Sequence, residues 1–234
     1  MFGEVCLLSG GAAQGLVTEL EERFTARTGF TVEGIFGAVG AMRDKLLAGE
    51  PCDLAILSQA LIDQLSRDGQ VAANTATPLG TVKTGVAVKS GEAPPNVATA
   101  ASLKASLLAA KGIYFPDPVK ATAGIHFMKV LQSLGIDKEV EARLRPYPNG
   151  ATAMREMSQS NESGLLGCTQ VTEIRYTPGV QLVGLLPKEF ELATVYTAAV
   201  CTNAQQPKAA EQLIRLLASA EAASVRAEVG FEPA

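Results

Sequence analysis

Short apolar runs alternate with amphipathic segments along the first eighty residues, the pattern of a sheet whose strands are joined by helices. Residues 4–8 read as a strand, Ser9-Gly10-Gly11 as a turn, and 12–28 as a helix that aligns Leu16, Leu20 and Phe24 and stops at Gly29. A second strand follows at 30–36. Gly37-Ala38-Val39-Gly40 then turns into a helix over 41–48, and a third strand at 53–57 passes through Ser58 into a helix over 59–66. Further on, strands are predicted at 80–88, 112–115, 145–147, 164–169, 180–185 and 194–202. Helices are predicted at 100–110, 122–134, 150–158 and 207–219, the last aligning Leu213, Leu216 and Leu217. Strands separated by helices of this length need crossover connections, so the sheets should be largely parallel, with any ligand at the carboxyl ends of the strands.

Composition narrows the function classes. Hydrophobic residues make up 47% of the 234 positions and charged residues 19%, enough for a packed core. The net charge is −4, and the basic residues are scattered singly, which argues against nucleic acid as a partner. No apolar stretch approaches the ~20 residues of a membrane span. The first residues lack a basic region, an apolar run and a small-residue cleavage site, so the chain as written reads as cytoplasmic. A chain trimmed of its leader and given a new Met would read the same, and would then be periplasmic. Cys6, Cys52, Cys168 and Cys201 are widely spaced, with no CxxC pair and a single histidine, so no metal site is expected. Cys6 and Cys201 sit in apolar runs and read as reduced and buried.

Three turns place small or hydroxyl residues between a strand end and a helix start: Ser9-Gly10-Gly11, Gly37-Ala38-Val39-Gly40 and Thr122-Ala123-Gly124-Ile125-His126. Helix N-termini present unpaired N–H groups and partial positive charge, so such turns favour an anion. Each turn also has the plain explanation that Gly, Ser and Thr are ordinary cap residues. No GxxxxGK[ST], complete GxGxxG or GxSxG is present, which removes support for nucleotide or serine-nucleophile chemistry.

The segments LSGGAAQGLVTELEERFTARTGFTV, FGAVGAMRDKLLAGEPCDLAILS and DPVKATAGIHF, followed by the final strand and helix, resemble the type II periplasmic-binding-protein fold family over nearly the whole chain. Within that family the molybdate-binding group is the most similar. The resemblance implies an α/β fold of two lobes with mixed, mainly parallel sheets joined by two crossing strands, with a ligand in the cleft between them. Residues 1–80 plus 195–234 would form one lobe and 85–190 the other, with crossing segments near 81–88 and 190–197.

In the oxyanion binders of this group, hydroxyls in the first two loops and a tyrosine in the last hold the ion. Here the first loop keeps Ser9, the second has no hydroxyl, and Gly167-Cys168-Thr169-Gln170-Val171-Thr172-Glu173-Ile174 has no tyrosine. AGIHF and GCTQVTEI are instead similar to aconitate isomerases, which are built on this fold. That resemblance implies a small unsaturated di- or tricarboxylate and a proton shift without a cofactor.

The substrate-binding residues would then be Ser9, Gly10, Gly11, Ala38, Val39, Gly40, Ser58, Lys83, Thr122, Ala123, Gly124, Ile125, Thr169 and Gln170, with the hydroxyls, Gln170 and the turn N–H groups as donors. His126, near the first turn of its helix, is the candidate base; a helix N-terminus favours its neutral ring. Its plain alternative is a packed histidine whose nitrogens bond backbone. Cys168 and Glu173 are possible second proton groups, set against a core thiol and a solvated or helix-capping carboxylate. Asp117, between two prolines, reads as a turn-former. Two further readings stay open. One is the binding protein of an importer for molybdate, tungstate or a small organic anion, partnered by an ABC permease. The other is an anion sensor that changes partners when its lobes close.

Overall fold

The computed structural model describes residues 3–234 and divides the chain into two compact units. The residues up to Val82 join Thr194–Ala234 in the first, and Lys83–Ala193 form the second.

In the first unit, β1 (Gly3–Gly10) leads through a single 3-10 turn, Gly11–Ala13, into α1 (Gln14–Thr28). β2 (Phe30–Gly37) is followed by α2 (Val39–Leu47), and β3 (Leu54–Ser58) by α3 (Gln59–Arg67). β1 pairs in parallel with both β2 and β3, with Gly10 opposite Gly37 and Ser9 opposite Ile56. The chain leaves this unit within β4 (Thr77–Lys89) and returns at the start of β9 (Ala193–Val200), which runs antiparallel to β3. α9 (Pro207–Ala218) and α10 (Ala223–Val229) complete it. Alternate β residues such as Val5 and Leu7 meet Leu16, Leu20 and Phe24 of α1 and Leu213 and Leu217 of α9 in one core. Gly29 ends α1 in the left-handed conformation at φ 75, as the sequence led one to expect.

The second unit contains the rest of β4, α4 (Ala100–Ala109), β5 (Gly112–Pro116), α5 (Thr122–Ser133), α6 (Asp137–Val140), β6 (Leu144–Tyr147), α7 (Gly150–Gln159), β7 (Leu165–Gln170), α8 (Val171–Tyr176) and β8 (Val180–Leu185). β5 is parallel to β6 and β7, whereas β4 is antiparallel to β7 and β8. The period-2 alternation of β5 feeds two cores: Ile113 and Phe115 pack with Phe127, Val130 and Leu131, and Tyr114 packs with Met154, Met157 and Ile174. The rings of Phe115 and Phe127 sit 5.4 Å apart in a tilted arrangement.

Two expectations need correction. The 12–28 helix begins with a 3-10 turn, because the buried small residues Gly11, Ala12 and Ala13 let the chain tighten there. The second helix starts at Val39, not 41, so Val39 and Gly40 lie in its first turn and only Ala38 is an extended N-cap. α8 was not expected: Val171, Thr172 and Ile174 are β-branched and conceal a six-residue helix.

One carboxylate ties the first unit together at the amino end of β3. Asp53, 3% exposed, accepts from the Cys6 N–H at 2.8 Å through one oxygen and from the Gln205 and Gln206 N–H groups at 2.6 and 2.8 Å through the other. Asp53→Asn turns an amide donor toward at least one of these N–H groups, and chemical denaturation should register a loss of about 2 kcal/mol or more. Gly124→Ala should also destabilise, by about 1–3 kcal/mol, because its Cβ would stand 2.2 Å from the Asp117 carbonyl oxygen and 2.3 Å from that of Pro116, both backbone.

Candidate functional site

Each parallel strand delivers the chain to a helix N-terminus on the carboxyl rim of its own sheet. In the first unit this rim gathers Ser9 and Gly10 at the end of β1, Gly11 beyond it, Ala38, Val39 and Gly40 at the start of α2, and Ser58 as the N-cap of α3. Ser9 is fully buried, and its hydroxyl donates to the Gly10 carbonyl at 2.9 Å, so its proton already has an acceptor. Gly10 is closely packed: a Cβ there would lie 2.8 Å from Val39 Cγ1 and 3.0 Å from Tyr196 Cε1, so these side chains would have to shift. Tyr196, on β9 opposite Ser58, therefore belongs to this rim. The sequence reading missed it; the signal available was its place in the alternation of the strand VYTAAV.

The corresponding rim of the second unit brings together the start of α5, the Asn149 cap of α7 and the junction of β7 with α8. Thr122, Ala123 and Gly124 occupy the first three positions of α5, whose opening N–H groups lie ahead of any intrahelical acceptor; Ile125 N–H already bonds the Ala121 carbonyl. Asp117 shapes the turn before the helix by accepting from the Val119 and Lys120 N–H groups at 2.7 and 2.9 Å. His126 is the fifth helical residue of α5, which begins at Thr122 as the sequence predicts. Its ring is half-buried, and Nε2 lies 2.8 Å from the Phe190 carbonyl oxygen. A carbonyl only accepts, so Nε2 carries the hydrogen and, in the neutral ring, Nδ1 keeps the lone pair.

Glu173 is not solvated, and of the readings the sequence leaves open it takes the helix-capping one. It is 5% exposed at the third position of α8, and burial raises its carboxyl above the usual range, while hydrogen bonds from Thr169 and from the Ala151, Gly150 and Gln170 N–H groups pull the other way. The Thr169 hydroxyl donates to Glu173 Oε2 at 2.5 Å. Glu173 thus supplies the hydrogen-bond acceptor at the N-terminus of α7, and the Thr169 proton is committed to it. The packing is tight enough that a Cβ on Gly150 would fall 2.0 Å from both Glu173 Oε2 and Thr169 Oγ1.

Cys168, 2% exposed among the apolar residues of the core, has its thiol raised by burial and is placed for packing. Lys83 forms an ion pair with Glu191 at 3.5 Å, and that carboxylate, held below its ordinary value, also receives Lys188 at 2.9 Å.

Two hydroxyls that the sequence reading passed over stand out here. Thr84, 1% exposed, lies opposite Gln170 across the β4–β7 pair, and Thr172, 3% exposed, is the second residue of α8. Neither Oγ1 has a hydrogen-bond partner among the described residues. Buried hydroxyls of this kind are uncommon and each calls for an acceptor. Gln170, also buried, separates them as the N-cap of α8. Among the described residues no group of three or more His, Cys, Asp or Glu side chains is arranged to hold a metal ion, and no helix is long and apolar enough to cross a membrane.

Comparison with known proteins places this geometry in a family. An aconitate isomerase from a Pseudomonas species is 28% identical over 97% of this chain and 87% of its own. The periplasmic molybdate-binding protein of Azotobacter vinelandii superposes with a TM-score of 0.80 at 17% identity, covering 98% of this chain and 99% of the other. A sulfate-binding protein from Mycobacterium tuberculosis does so with a TM-score of 0.74 at 19% identity, covering 99% and 87%. These structures share the periplasmic-binding-protein fold with this chain. The model of bacterial extracellular solute-binding proteins matches residues 5–232, from the first strand to the last segment, and the chain belongs to that family.

Proposed function

We propose that this protein isomerises a small unsaturated polycarboxylate of the aconitate kind. The observation that carries the reading is the likeness to an aconitate isomerase along 97% of the chain. A base takes a proton from the methylene beside a carboxylate, the negative charge spreads over the allylic system and its carboxylate, and the proton returns at the far carbon. Atoms and charge balance without a redox partner or cofactor.

His126 suits the base step: Phe190 fixes the ring through Nε2, and Nδ1 is the atom that accepts and returns the proton. Thr84 and Thr172 supply hydroxyl donors for a carboxylate oxygen that gains charge during the reaction. The opening N–H groups of α5, at Thr122, Ala123 and Gly124, would do the same. Within the first unit, the rim formed by Ser9, Gly10, Gly11, Ala38, Val39, Gly40 and Ser58 would offer backbone donors to a carboxylate. Gln170 adds an amide beside the two threonines.

A second reading has its own support. The family description and the molybdate- and sulfate-binding structures favour a receptor that binds a small anion and hands it to a permease. Such a protein needs donors for the ground state of its ligand and no base.

Chromatographic separation of cis- and trans-aconitate separates the readings. The protein is expected to interconvert the two acids, with His126→Ala reducing the rate by ~10²–10⁴-fold. An unchanged rate in that variant would remove His126 from the chemistry. Tight molybdate binding in calorimetry, with no turnover of either acid, would favour the receptor.

Thr172→Val and Thr84→Val carry a double signature. Each should weaken binding of the carboxylate by ~10–100-fold, the worth of a hydrogen bond to a charged group. Each should leave the unliganded Tm equal or higher, since an unpartnered buried hydroxyl has been removed. A lower Tm with unchanged affinity would show that the hydroxyls serve the fold alone.

A further inference from the structure

Three of the four cysteines, separated by up to 195 positions in the sequence, meet at the amino end of the first unit's sheet. Cys52 immediately precedes Asp53 and β3; Cys201 immediately follows β9, and its N–H bonds the Asp53 carbonyl at 2.9 Å. Because β3 and β9 run antiparallel, these two positions fall side by side although 149 residues separate them. The Cys201 thiol donates to Cys52 Sγ at 3.3 Å. Both line a cavity of about 500 Å³ together with Cys6, Glu4, Glu50 and Asp53. Cys201 is buried, while Cys52 is partly exposed, as is Cys6.

We infer that Cys52 and Cys201 are an oxidation site, a dithiol that a small neutral peroxide converts into a disulfide tying together the two chain segments that build the first unit. The three carboxylates lining the cavity disfavour an anionic oxidant, whereas hydrogen peroxide is small and uncharged. The hydrogen bond from Cys201 lowers the Cys52 thiol against the opposing effect of burial, and the same bond, with burial, raises Cys201. Cys52 is therefore the attacking sulfur and Cys201 the resolving one. Burial raises Cys6 as well, which leaves it the poorer nucleophile.

In the first step the Cys52 thiolate attacks one peroxide oxygen. The O–O bond breaks, a sulfenic acid forms on Cys52, and the departing hydroxide takes up a proton to become water. In the second, Cys201 sulfur attacks the Cys52 sulfur, the S–O bond breaks, and a second water leaves with the Cys201 proton. Two thiols lose two electrons and two protons, and one peroxide becomes two waters.

The test treats the reduced full-length protein with hydrogen peroxide, blocks the remaining thiols after denaturation, and maps the peptides by mass spectrometry. The expected product has lost two hydrogens per chain, links the Cys52 and Cys201 peptides, reverts with dithiothreitol, and unfolds at a higher temperature than the reduced protein. Cys201→Ala should stop at the sulfenic acid, which dimedone captures on Cys52, and Cys52→Ala should give neither dimedone adduct nor link. Alkylation of both Cys52 and Cys201 after peroxide treatment of the wild type would overturn the inference. So would a link through Cys6, or a dimedone adduct on wild-type Cys52 that never resolves.

Discussion

Parallel pairing is the constraint on which the rest of this molecule depends. β1, β2 and β3 in the first unit, and β5, β6 and β7 in the second, run in the same direction, so in each unit the turns that lead these strands into helices fall on one rim. Helix N-termini and their N–H groups therefore collect there without any residue being selected for charge. Catalysis or recognition at such a rim needs few ionised side chains, which agrees with the scarcity of basic clusters in the sequence and with Lys83 being engaged by Glu191.

That economy has a cost at the opposite requirement, stability. A rim rich in unsatisfied donors must either hold a ligand or supply its own acceptor. Glu173 does the latter for α7: its carboxyl group accepts from the Gly150 and Ala151 N–H groups, and Gly150 leaves the room for it. Thr84 and Thr172 are left in the other condition, buried and without an acceptor among the described residues. Asp53 plays the structural part at the amino end of the first unit's sheet, satisfying three backbone N–H groups from β1 and from the segment ahead of α9.

The α/β class and most strands were legible because hydrophobic periodicity and glycine stops are local signals: the strand predicted at 180–185 is β8 residue for residue, and Gly29 ends α1. The family likeness was legible in the order of the quoted segments. What could not be read was whatever depends on which distant residues meet. Glu173 looks like a surface carboxylate until Gly150 and Thr169 close over it, and Tyr196 is one alternate position of a strand until Gly10 packs against it. Ser9 and Thr169 carry hydroxyls of the right kind, yet their protons are spent on the Gly10 carbonyl and on Glu173. Cys52 and Cys201 are unremarkable singly and become a pair only through the antiparallel register of β3 and β9.

A binding protein and an isomerase on this fold differ in one physical respect: the enzyme must move a proton to and from carbon, and His126 is the residue assigned that task. Proton NMR of trans-aconitate incubated with the wild-type protein in deuterated water reads that step directly. Deuterium entering the methylene and vinyl positions as cis-aconitate forms is the result this account predicts. An acid that binds, as saturation-transfer signals would show, while its carbon-bound protons neither exchange nor shift would contradict it.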